Sequence, residues 1–277
     1  MTTAAPALDD DFRPPGFDSI RAWLNERYGI YYPPRKEDLL VHRLTRVLDR
    51  YSLSSLEDLA QCIETAQRSD IILAVLHAAS TNHTYFFREP QVLDFFRDRI
   101  LPQLAALPEL RIWSAASSTG DEAYTAAILA CETFGRMEAA NRVRVLGTDI
   151  SEPVIATAEA GLYSQTHLEQ TPNWIISKYF RPSGMGQSAI TNDIRRMCMF
   201  RRLNLKAPFY PFQKHFHIVF CRNVLYYFEK HDQSLVLESI YDVTEAGGWL
   251  LTSVTEAVRD LGTRWTAVGG GIYRKLP

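Results

Sequence analysis

Residues 111–124, RIWSAASSTGDEAY, determine how the rest of the chain is interpreted. An apolar beginning gives way to a run of small residues that ends at Gly120, and Asp121 and Glu122 then open an alanine-rich stretch. This order is typical of a strand, a tight loop and the N-terminus of a helix. Small side chains in such a loop let a ligand approach the backbone closely.

The two acids at the helix start restrict which ligand the loop can hold. A helix N-terminus presents unpaired N–H groups and a partial positive charge, and dinucleotide sites place their phosphates there. Asp121 and Glu122 would repel a phosphate, and the chain has no GxGxxG motif, so a nicotinamide dehydrogenase is disfavoured. We expect a nucleoside ligand that carries positive charge, and S-adenosylmethionine, with its sulfonium and ammonium groups, fits this description.

A further acid, Asp149, ends the alternating segment NRVRVLGTDIS at 141–151. An acid at the end of the second strand of a doubly wound sheet accepts hydrogen bonds from ribose hydroxyls. Asp149 lies about 29 residues beyond Gly120, further than the usual ~20, because the intervening helix is long. The alternative is that Asp149 caps the following helix, for which Ser151 is an equal candidate.

Composition places the chain among ordinary globular proteins. Of its 277 residues 46% are apolar, and a formal net charge of −2 gives no overall attraction to nucleic acid or an anionic membrane. The four cysteines form no CxxC pair, which favours reduced thiols over a zinc site or a disulfide framework. Without a signal peptide or a long apolar run, we expect a cytoplasmic protein with no metal and no membrane insertion.

The periodicity of the sequence divides the chain into three parts. Residues 1–16 are interpreted as a disordered lead, and 17–80 as a small all-α domain of amphipathic helices. In residues 81–277 strands alternate with helices, which predicts a parallel sheet with crossover helices, and 163–200 is interpreted as an inserted subdomain with short strands. The predicted strands are 110–115, 142–148, 216–221 and 248–253, with GIYRKL (271–276) as an antiparallel edge.

Several segments, in their order, resemble the bacterial chemoreceptor glutamate methyltransferases of the CheR type. The resemblance covers about residues 17–277, and its most specific motifs are TNHTYFFR and CRNVLYYF. It implies an α/β fold with a doubly wound, Rossmann-like methyltransferase sheet, an N-terminal all-α domain and a small inserted β subdomain. It also implies S-adenosylmethionine as methyl donor, S-adenosylhomocysteine as product and receptor glutamates as acceptors. The matching segments are TNHTYFFRE (81–89), WSAASSTGDEAY (113–124), GTDIS (147–151), RLNL (202–205), FHIVFCRNVLYYF (216–228) and GGWLLTSVTE (247–256).

The resemblance further implies roles for individual residues. It assigns Arg88 and Tyr227 to catalysis, while Tyr226 stands where an aliphatic residue is common and Ala123 replaces a usual proline. The SVTE segment at 253–256 departs from the family's more usual Ser-Glu ending, which leaves the role of that loop open. The implied cofactor-binding residues are Asn82, Thr84, Arg88, Glu122, Asp149, Asn204, Leu205, Arg222 and Asn223.

The chemistry of carboxylate methylation explains why no catalytic triad is needed. A glutamate has an ordinary pKa near 4.3, so the nucleophile is already ionised at neutral pH. Arg88 could orient that carboxylate through its fork of donors, and Tyr227 could donate a hydrogen bond beside the transferring methyl group. From the residues alone, Arg88 could equally cap a helix or bridge domains, and Tyr227 could be a core tyrosine at a strand end.

The second helix of the all-α domain carries a row of basic residues. Arg43, Arg46 and Arg50 recur at i, i+3 and i+7, opposite the apolar stripe that contains Leu40 and Leu44. Such a row is usually only a solvated helix face. The sharper hypothesis is that it docks against an acidic bundle of receptor helices.

The inserted subdomain bears on how the receptor is held. Family members that tether to a receptor tail peptide use a glycine-containing loop there, and Gly184-Met185-Gly186 is present. The segment 179–200 looks shorter than in tethering members, so we expect a tail-independent enzyme, and nothing requires more than a monomer. A methyltransferase of another substrate, such as a small molecule or RNA, and a non-catalytic cofactor-binding scaffold remain as alternatives.

Overall fold

The computed structural model describes residues 13–66, 68–80, 84–256 and 258–277. The chain divides into two compact units between Ala79 and Ser80. Of the lead predicted for residues 1–16, positions 1–12 lie outside the described residues. The described part of that lead ends at Gly16, whose left-handed φ of +84° immediately precedes the first helix.

The first unit is all helical. Leu40, Leu44 and Val47 form the buried stripe of its second helix, as their spacing predicts. The third helix begins at a capping residue, because the backbone N–H of Asp58 donates to Oγ of Ser55 at 3.1 Å. The helices of this unit are α1 (Phe17–Tyr28), α2 (Glu37–Tyr51), which follows a 3₁₀ turn at Pro34–Lys36, α3 (Leu56–Glu64) and α4 (Ser69–Ala79).

The second unit is built on strands that form two sheets among the described residues. The larger sheet has seven strands in the order β6-β2-β1-β7-β8-β10-β9, and the smaller has the order β3-β5-β4. The strands are β1 (Leu110–Ala115), β2 (Val143–Asp149), β3 (Leu162–Ser164), β4 (Phe180–Pro182), β5 (Gln187–Ile190), β6 (Cys198–Arg202), β7 (Phe216–Phe220), β8 (Thr244–Leu251), β9 (Thr266–Gly269) and β10 (Ile272–Arg274).

The large sheet is doubly wound. From β6 through β8 its neighbouring strands are parallel, whereas β10 runs antiparallel to both β8 and β9. The chain passes from β1 to one side, into β2, and later returns to the other side, into β7. Ligands of such sheets bind beyond the carboxyl ends of the strands at this switch point. The predicted fold class, a Rossmann-like sheet with a helical N-terminal part and a small inserted β sheet, is confirmed.

Helices cover both faces of the large sheet. Alternate residues of β1 enter different cores: Ile112 packs with Phe96 and Phe220 on one face, and Trp113 packs with Val219 on the other. The helices of this unit are α5 (Pro90–Phe95), joined by a π turn at Phe96–Ile100 to α6 (Leu101–Gln103), then α7 (Asp121–Phe134), α8 (Arg136–Arg142), α9 (Glu152–Ala160), α10 (Gln165–Leu168), α11 (Asn173–Tyr179), α12 (Asn192–Met197) and α13 (Lys230–Asp242), with 3₁₀ turns at Leu225–Tyr227 and Arg259–Leu261.

Two strand positions differ from the sequence prediction. The sequence pattern assigns residues 198–200 to the inserted subdomain. In the structure they belong to β6 and pair with β2 in the large sheet. The short strand ends in two arginines, so its one buried position, Phe200, left little apolar pattern to detect. The C-terminal GIYRKL segment is not an edge, because β10 lies between β8 and β9, and β9 has no fully buried residue that would mark it as a strand.

Candidate functional site

The loop between β1 and α7 has a backbone conformation that favours small residues. Ala116, Ser118 and Gly120 all have positive φ, at +63°, +48° and +89°. A Cβ on Gly120 would lie 2.9 Å from the Cβ of Ala158, so both the backbone conformation and the space favour glycine. The loop therefore presents its backbone at the carboxyl end of β1, as the sequence predicts.

Asp149 lies beside this loop, at the end of β2, and is only 7% exposed. Its Oδ2 accepts from the backbone N–H of Ser118 at 2.9 Å, and its Oδ1 accepts from that of Ser151 at 3.0 Å. Burial raises the pKa of Asp149, and these backbone donors oppose the rise. The carboxylate thus holds both the small-residue loop and the residue that precedes α9. Asp149 therefore does more than cap the following helix, which was the alternative.

Two serines of the same loop have unused hydrogen-bonding capacity. The Oγ atoms of Ser117 and Ser118 are buried and have no hydrogen-bond partner within the described part of the chain. Buried hydroxyls without partners are costly unless something else satisfies them.

Glu122, on the first turn of α7, is bound on both carboxylate oxygens. Ser114 Oγ donates to Oε1 at 2.7 Å, and Arg222 Nη1 donates to Oε2 at 3.1 Å. Burial raises the pKa of Glu122, and Arg222 is the strongest influence that opposes it. Arg222 also donates from Nη2 to the carbonyl oxygen of Arg88 at 2.6 Å and lies 3.5 Å from Oε2 of Glu89. One arginine therefore stands between two acids, and with both carboxylates ionised the cluster has a formal charge of −1, which suits a cation.

Glu89 ties the segment before α5 to the loops that follow β7 and β8. Its Oε1 accepts from Ser253 Oγ at 2.8 Å and from Asn223 Nδ2 at 3.1 Å. Burial alone would raise the pKa of Glu89, but the charge of Arg222 and these hydrogen bonds hold it below its ordinary value. Glu89 and Asn223 have positive φ, at +56° and +57°, so the same contacts hold two strained backbones.

Glu256, like Glu89, is a residue of the site that the sequence reasoning missed. Its Oε1 accepts from the backbone N–H groups of Val224 and Leu225, both at 2.9 Å. Its Oε2 accepts from those of Asn223 and Ser253, both at 3.0 Å. The carboxylate thereby joins the loop after β7 to the loop after β8. An acid in an otherwise small and apolar segment just beyond a buried strand was the available signal.

Arg88 and two tyrosines lie at the same edge of the sheet. Tyr226 and Tyr227 belong to the 3₁₀ turn after β7, with ring centroids 4.4 Å apart, and Tyr226 Oη donates to Tyr227 Oη at 3.2 Å. Burial and this hydrogen bond raise the pKa of Tyr226, while the nearby charge of Arg88 opposes the rise. Tyr227 is half-buried on a turn, so the alternative of a core tyrosine at a strand end is wrong.

The remaining expected cofactor residues are Asn204 and Leu205, which follow β6, and Asn82 and Thr84, which precede α5. The backbone N–H of Leu203 donates to the carbonyl oxygen of Asp149 at 2.9 Å, which brings this segment next to the end of β2. Asn204 Oδ1 accepts from the N–H of Lys206 at 2.9 Å, and Leu205 is buried. Thr84 is half-buried. Asn82 lies outside the described residues.

Asp121 does not act as the sequence suggests. It is fully buried, and its carboxylate accepts from Thr119 Oγ1 at 2.6 Å and pairs with His167 Nδ1 at 2.7 Å. The hydrogen bond to Asp121 raises the pKa of His167. Of the two acids at the start of α7, Glu122 keeps 15% of its side chain exposed, whereas Asp121 is fully buried and fastens α10 to α7.

Arg43, predicted as a docking residue, also has a structural contact inside the helical unit. Its Nη1 donates to Tyr32 Oη at 3.0 Å and to the carbonyl oxygen of Ala79 at 3.4 Å, so it holds the C-terminal end of α4. Arg46 and Arg50 are exposed on α2. The predicted docking face is therefore reduced to these two arginines, because the third is occupied inside the helical unit.

The described residues hold neither a candidate metal site nor a membrane-spanning helix. They contain no group of three or more His, Cys, Asp or Glu side chains that could hold a metal ion. Across the same residues, no helix combines the length and the apolar character needed to cross a membrane.

Comparison with known proteins gives consistent matches over nearly the whole chain. The family described as "CheR methyltransferase, SAM binding domain" matches residues 82–273, and "CheR methyltransferase, all-alpha domain" matches residues 15–72. A chemotaxis protein methyltransferase of Vibrio anguillarum is 31% identical over 99% of this chain and 99% of its own length. Chemotaxis protein methyltransferase 1 of Pseudomonas aeruginosa is 32% identical over 93% of this chain and 97% of its own. The corresponding Escherichia coli protein is 30% identical over 93% of this chain and 89% of its own.

Proposed function

Because the chain belongs to the CheR methyltransferase family and carries its S-adenosylmethionine-binding domain, we propose that it methylates glutamate side chains of methyl-accepting chemoreceptors. The products are glutamate methyl esters, which serve sensory adaptation, and S-adenosylhomocysteine. The observation that most supports this acceptor is the grouping of Arg88, Tyr226 and Tyr227 at the carboxyl edge of the sheet. A cationic fork of donors beside phenolic hydroxyls suits a carboxylate better than a neutral acceptor.

The residues around β1 and β2 fit the cofactor. S-adenosylmethionine, when bound, supplies an electrophilic methyl group on a sulfonium centre. We assign Asp149 to the ribose, since its carboxylate stands at the end of β2 and holds the small-residue loop at Ser118. We assign Glu122 to the ammonium end, because the cluster it forms with Arg222 and Glu89 is net negative. We assign Asn204 and Leu205 to the adenine side of the cofactor.

The chain's own residues have a positioning task rather than an acid–base task. A glutamate carboxylate is ionised at neutral pH, so no group has to remove a proton from it. In this proposal Arg88 orients the carboxylate, and Tyr227 donates a hydrogen bond beside the reacting oxygen. Holding two reactants in line can lower a barrier by roughly 7–11 kcal/mol.

The acceptor is proposed to lie on a receptor helix bundle. Arg46 and Arg50, exposed on α2, provide positive charge for docking against acidic receptor helices. Charge reversal at both positions is expected to raise the KM for receptor while leaving S-adenosylhomocysteine affinity unchanged. Unchanged receptor kinetics would remove α2 from the docking surface.

The decisive experiment measures transfer of a labelled methyl group from S-adenosylmethionine to a purified receptor cytoplasmic domain. We expect base-labile label that is released as methanol, and no label on a receptor whose accepting glutamates are replaced by glutamine. Arg88→Ala should reduce kcat about 100-fold, or roughly 2.7 kcal/mol, with little change in S-adenosylhomocysteine affinity. Arg99→Ala, at an exposed position in the same unit, is the matched control.

Other results of this assay would contradict the proposal. Base-stable label would point to an acceptor other than a carboxylate. Binding of S-adenosylhomocysteine without any transfer would point to a non-catalytic scaffold.

Independence from a receptor tail is tested separately. Calorimetric titration with a receptor-tail peptide should give no binding at micromolar concentration. Micromolar binding would show that the inserted subdomain, with its exposed Met185 loop, tethers the receptor.

A further inference from the structure

Tyr226 places a second phenolic hydroxyl beside that of Tyr227. We propose that Tyr226 is a positioning residue for methyl transfer: its hydroxyl donates to Tyr227 and thereby directs the proton of Tyr227 toward the acceptor carboxylate. This inference rests on the proposed function.

The contact between the two tyrosines is unusual for neighbours in a helical turn. Consecutive side chains on such a turn normally point in different directions and do not face each other. Here the rings lie 4.4 Å apart at an interplanar angle of 45°, and the hydroxyl oxygens are 3.2 Å apart. The turn's geometry is therefore set by something other than the local sequence.

Glu256 fixes the backbone of this turn. It accepts the backbone N–H groups of Val224 and Leu225, the two residues immediately before Tyr226. Leu225 is buried beneath the turn, whereas Tyr226 is 50% exposed and Tyr227 is half-buried. Hydrogen bonds to Glu256 thus hold the backbone of the turn, and both phenol rings extend from this fixed backbone.

The direction of the hydrogen bond gives Tyr226 its role. A hydroxyl has one proton to donate and two lone pairs that accept. When Tyr226 donates to Tyr227, the proton of Tyr227 must point to a different partner, and accepting one hydrogen bond makes a group a better donor of the next. Burial and the contact with Tyr227 raise the pKa of Tyr226, so it keeps its proton at neutral pH.

The strength of the contact limits the size of the effect. An oxygen separation of 3.2 Å is longer than the ~2.7–2.8 Å of a typical O–H···O bond. Tyr226 should therefore orient the hydroxyl of Tyr227 rather than bind substrate itself. We expect its hydroxyl to affect kcat about 3- to 10-fold and to leave the KM for receptor and the affinity for S-adenosylhomocysteine within 2-fold.

A double-mutant cycle tests this directly, using the full chain and a receptor cytoplasmic domain. Tyr226→Phe keeps the ring and removes the donor, and it should lower kcat 3- to 10-fold. In the Tyr227→Phe background the same change should have no further effect, because the acceptor of the hydrogen bond is gone. Tyr241→Phe, on α13, is the matched control and should behave as wild type.

Three outcomes would overturn the inference. Tyr226→Phe with wild-type kcat, paired with a Tyr226→Leu variant of reduced kcat, would mean that the ring alone matters. Independent, multiplicative losses in the double variant would mean that Tyr226 does not act through Tyr227. A wild-type protein that methylates no receptor glutamate would instead overturn the proposed function, and this inference with it, so the two failures are distinguishable.

Discussion

Replacement of Glu256 offers the sharpest test of how the site is held. Its two oxygens accept four backbone N–H groups from two loops. Glu256→Ala removes all four acceptors; the N–H groups of Leu225 and Ser253 are buried and cost about 2 kcal/mol each when left without a partner, whereas water can reach the partly buried N–H groups of Asn223 and Val224. We therefore expect a loss of about 4 kcal/mol, which at ~2–4 °C per kcal/mol lowers Tm by roughly 8–16 °C.

Glu256→Gln keeps the side-chain volume of Glu256 but removes its negative charge and one of its two acceptor oxygens. This variant therefore distinguishes loss of charge and acceptors from loss of volume. Glutamine keeps one acceptor oxygen, which can serve two of the four N–H groups, and turns an amide NH₂ toward the other two. The loss should be about half that of alanine, roughly 2 kcal/mol, and Tm should fall by about 4–8 °C.

The assay for both variants is thermal unfolding followed by circular dichroism, with S-adenosylhomocysteine calorimetry on the folded fraction. Glu229→Gln is the control, since that acid is exposed just beyond the same turn and its side chain makes no capping hydrogen bond. The order of Tm should be wild type and control, then glutamine, then alanine. A wild-type Tm for Glu256→Ala would refute the reasoning, because it would mean that water replaces the carboxylate at no cost.

Three further predictions concern other contacts. Asp149→Ala should weaken S-adenosylhomocysteine binding by about 10- to 100-fold, or ~1.4–2.7 kcal/mol, because the loop at Ser118 loses its anchor; calorimetry that shows unchanged affinity would contradict this. Arg43→Ala should destabilise the helical unit by ~1–3 kcal/mol in thermal unfolding, whereas Arg46→Ala should not, and equal effects would be inconsistent with the contact to Ala79. The raised pKa of His167 means that the folded protein binds its proton more tightly than the unfolded chain, so this stabilisation is complete below the ordinary histidine pKa and is lost as pH rises through the folded value. The Tm difference between wild type and His167→Gln should accordingly shrink from pH 6 to pH 9, and a constant difference would exclude the Asp121 pair as its source.

The parts of the fold that depend on local pattern could be predicted from the sequence. The β1–loop–α7 segment is one of these, since its backbone has positive φ at several nearby positions, among them Ala116 and Gly120, where small residues are favoured. The family expected from the sequence motifs is likewise confirmed. The short strand β6 was missed because an edge strand with one buried residue leaves almost no alternation.

The contacts that determine the function of single residues could not be predicted in the same way. Arg43 has the spacing of an exposed helix face, yet its partner, the carbonyl of Ala79, is 36 residues away. Asp121 and Glu122 are adjacent acids that face different surroundings, because successive residues on a helix point about 100° apart. Glu256 binds only backbone N–H groups, whose positions depend on two loop conformations and not on any residue type.

The hydrogen bonds from Arg222 to Arg88 and from Ser253 to Glu89 join residues 134 and 164 positions apart in the chain. During synthesis on the ribosome, the segment around residue 88 is therefore made long before its partners emerge. Contacts of such large sequence separation cannot form until both partners have been synthesised. A growing chain that ends before Glu256 should thus have β1 and β2 but no completed pocket, and the protein should become competent to bind its ligand only near the end of translation.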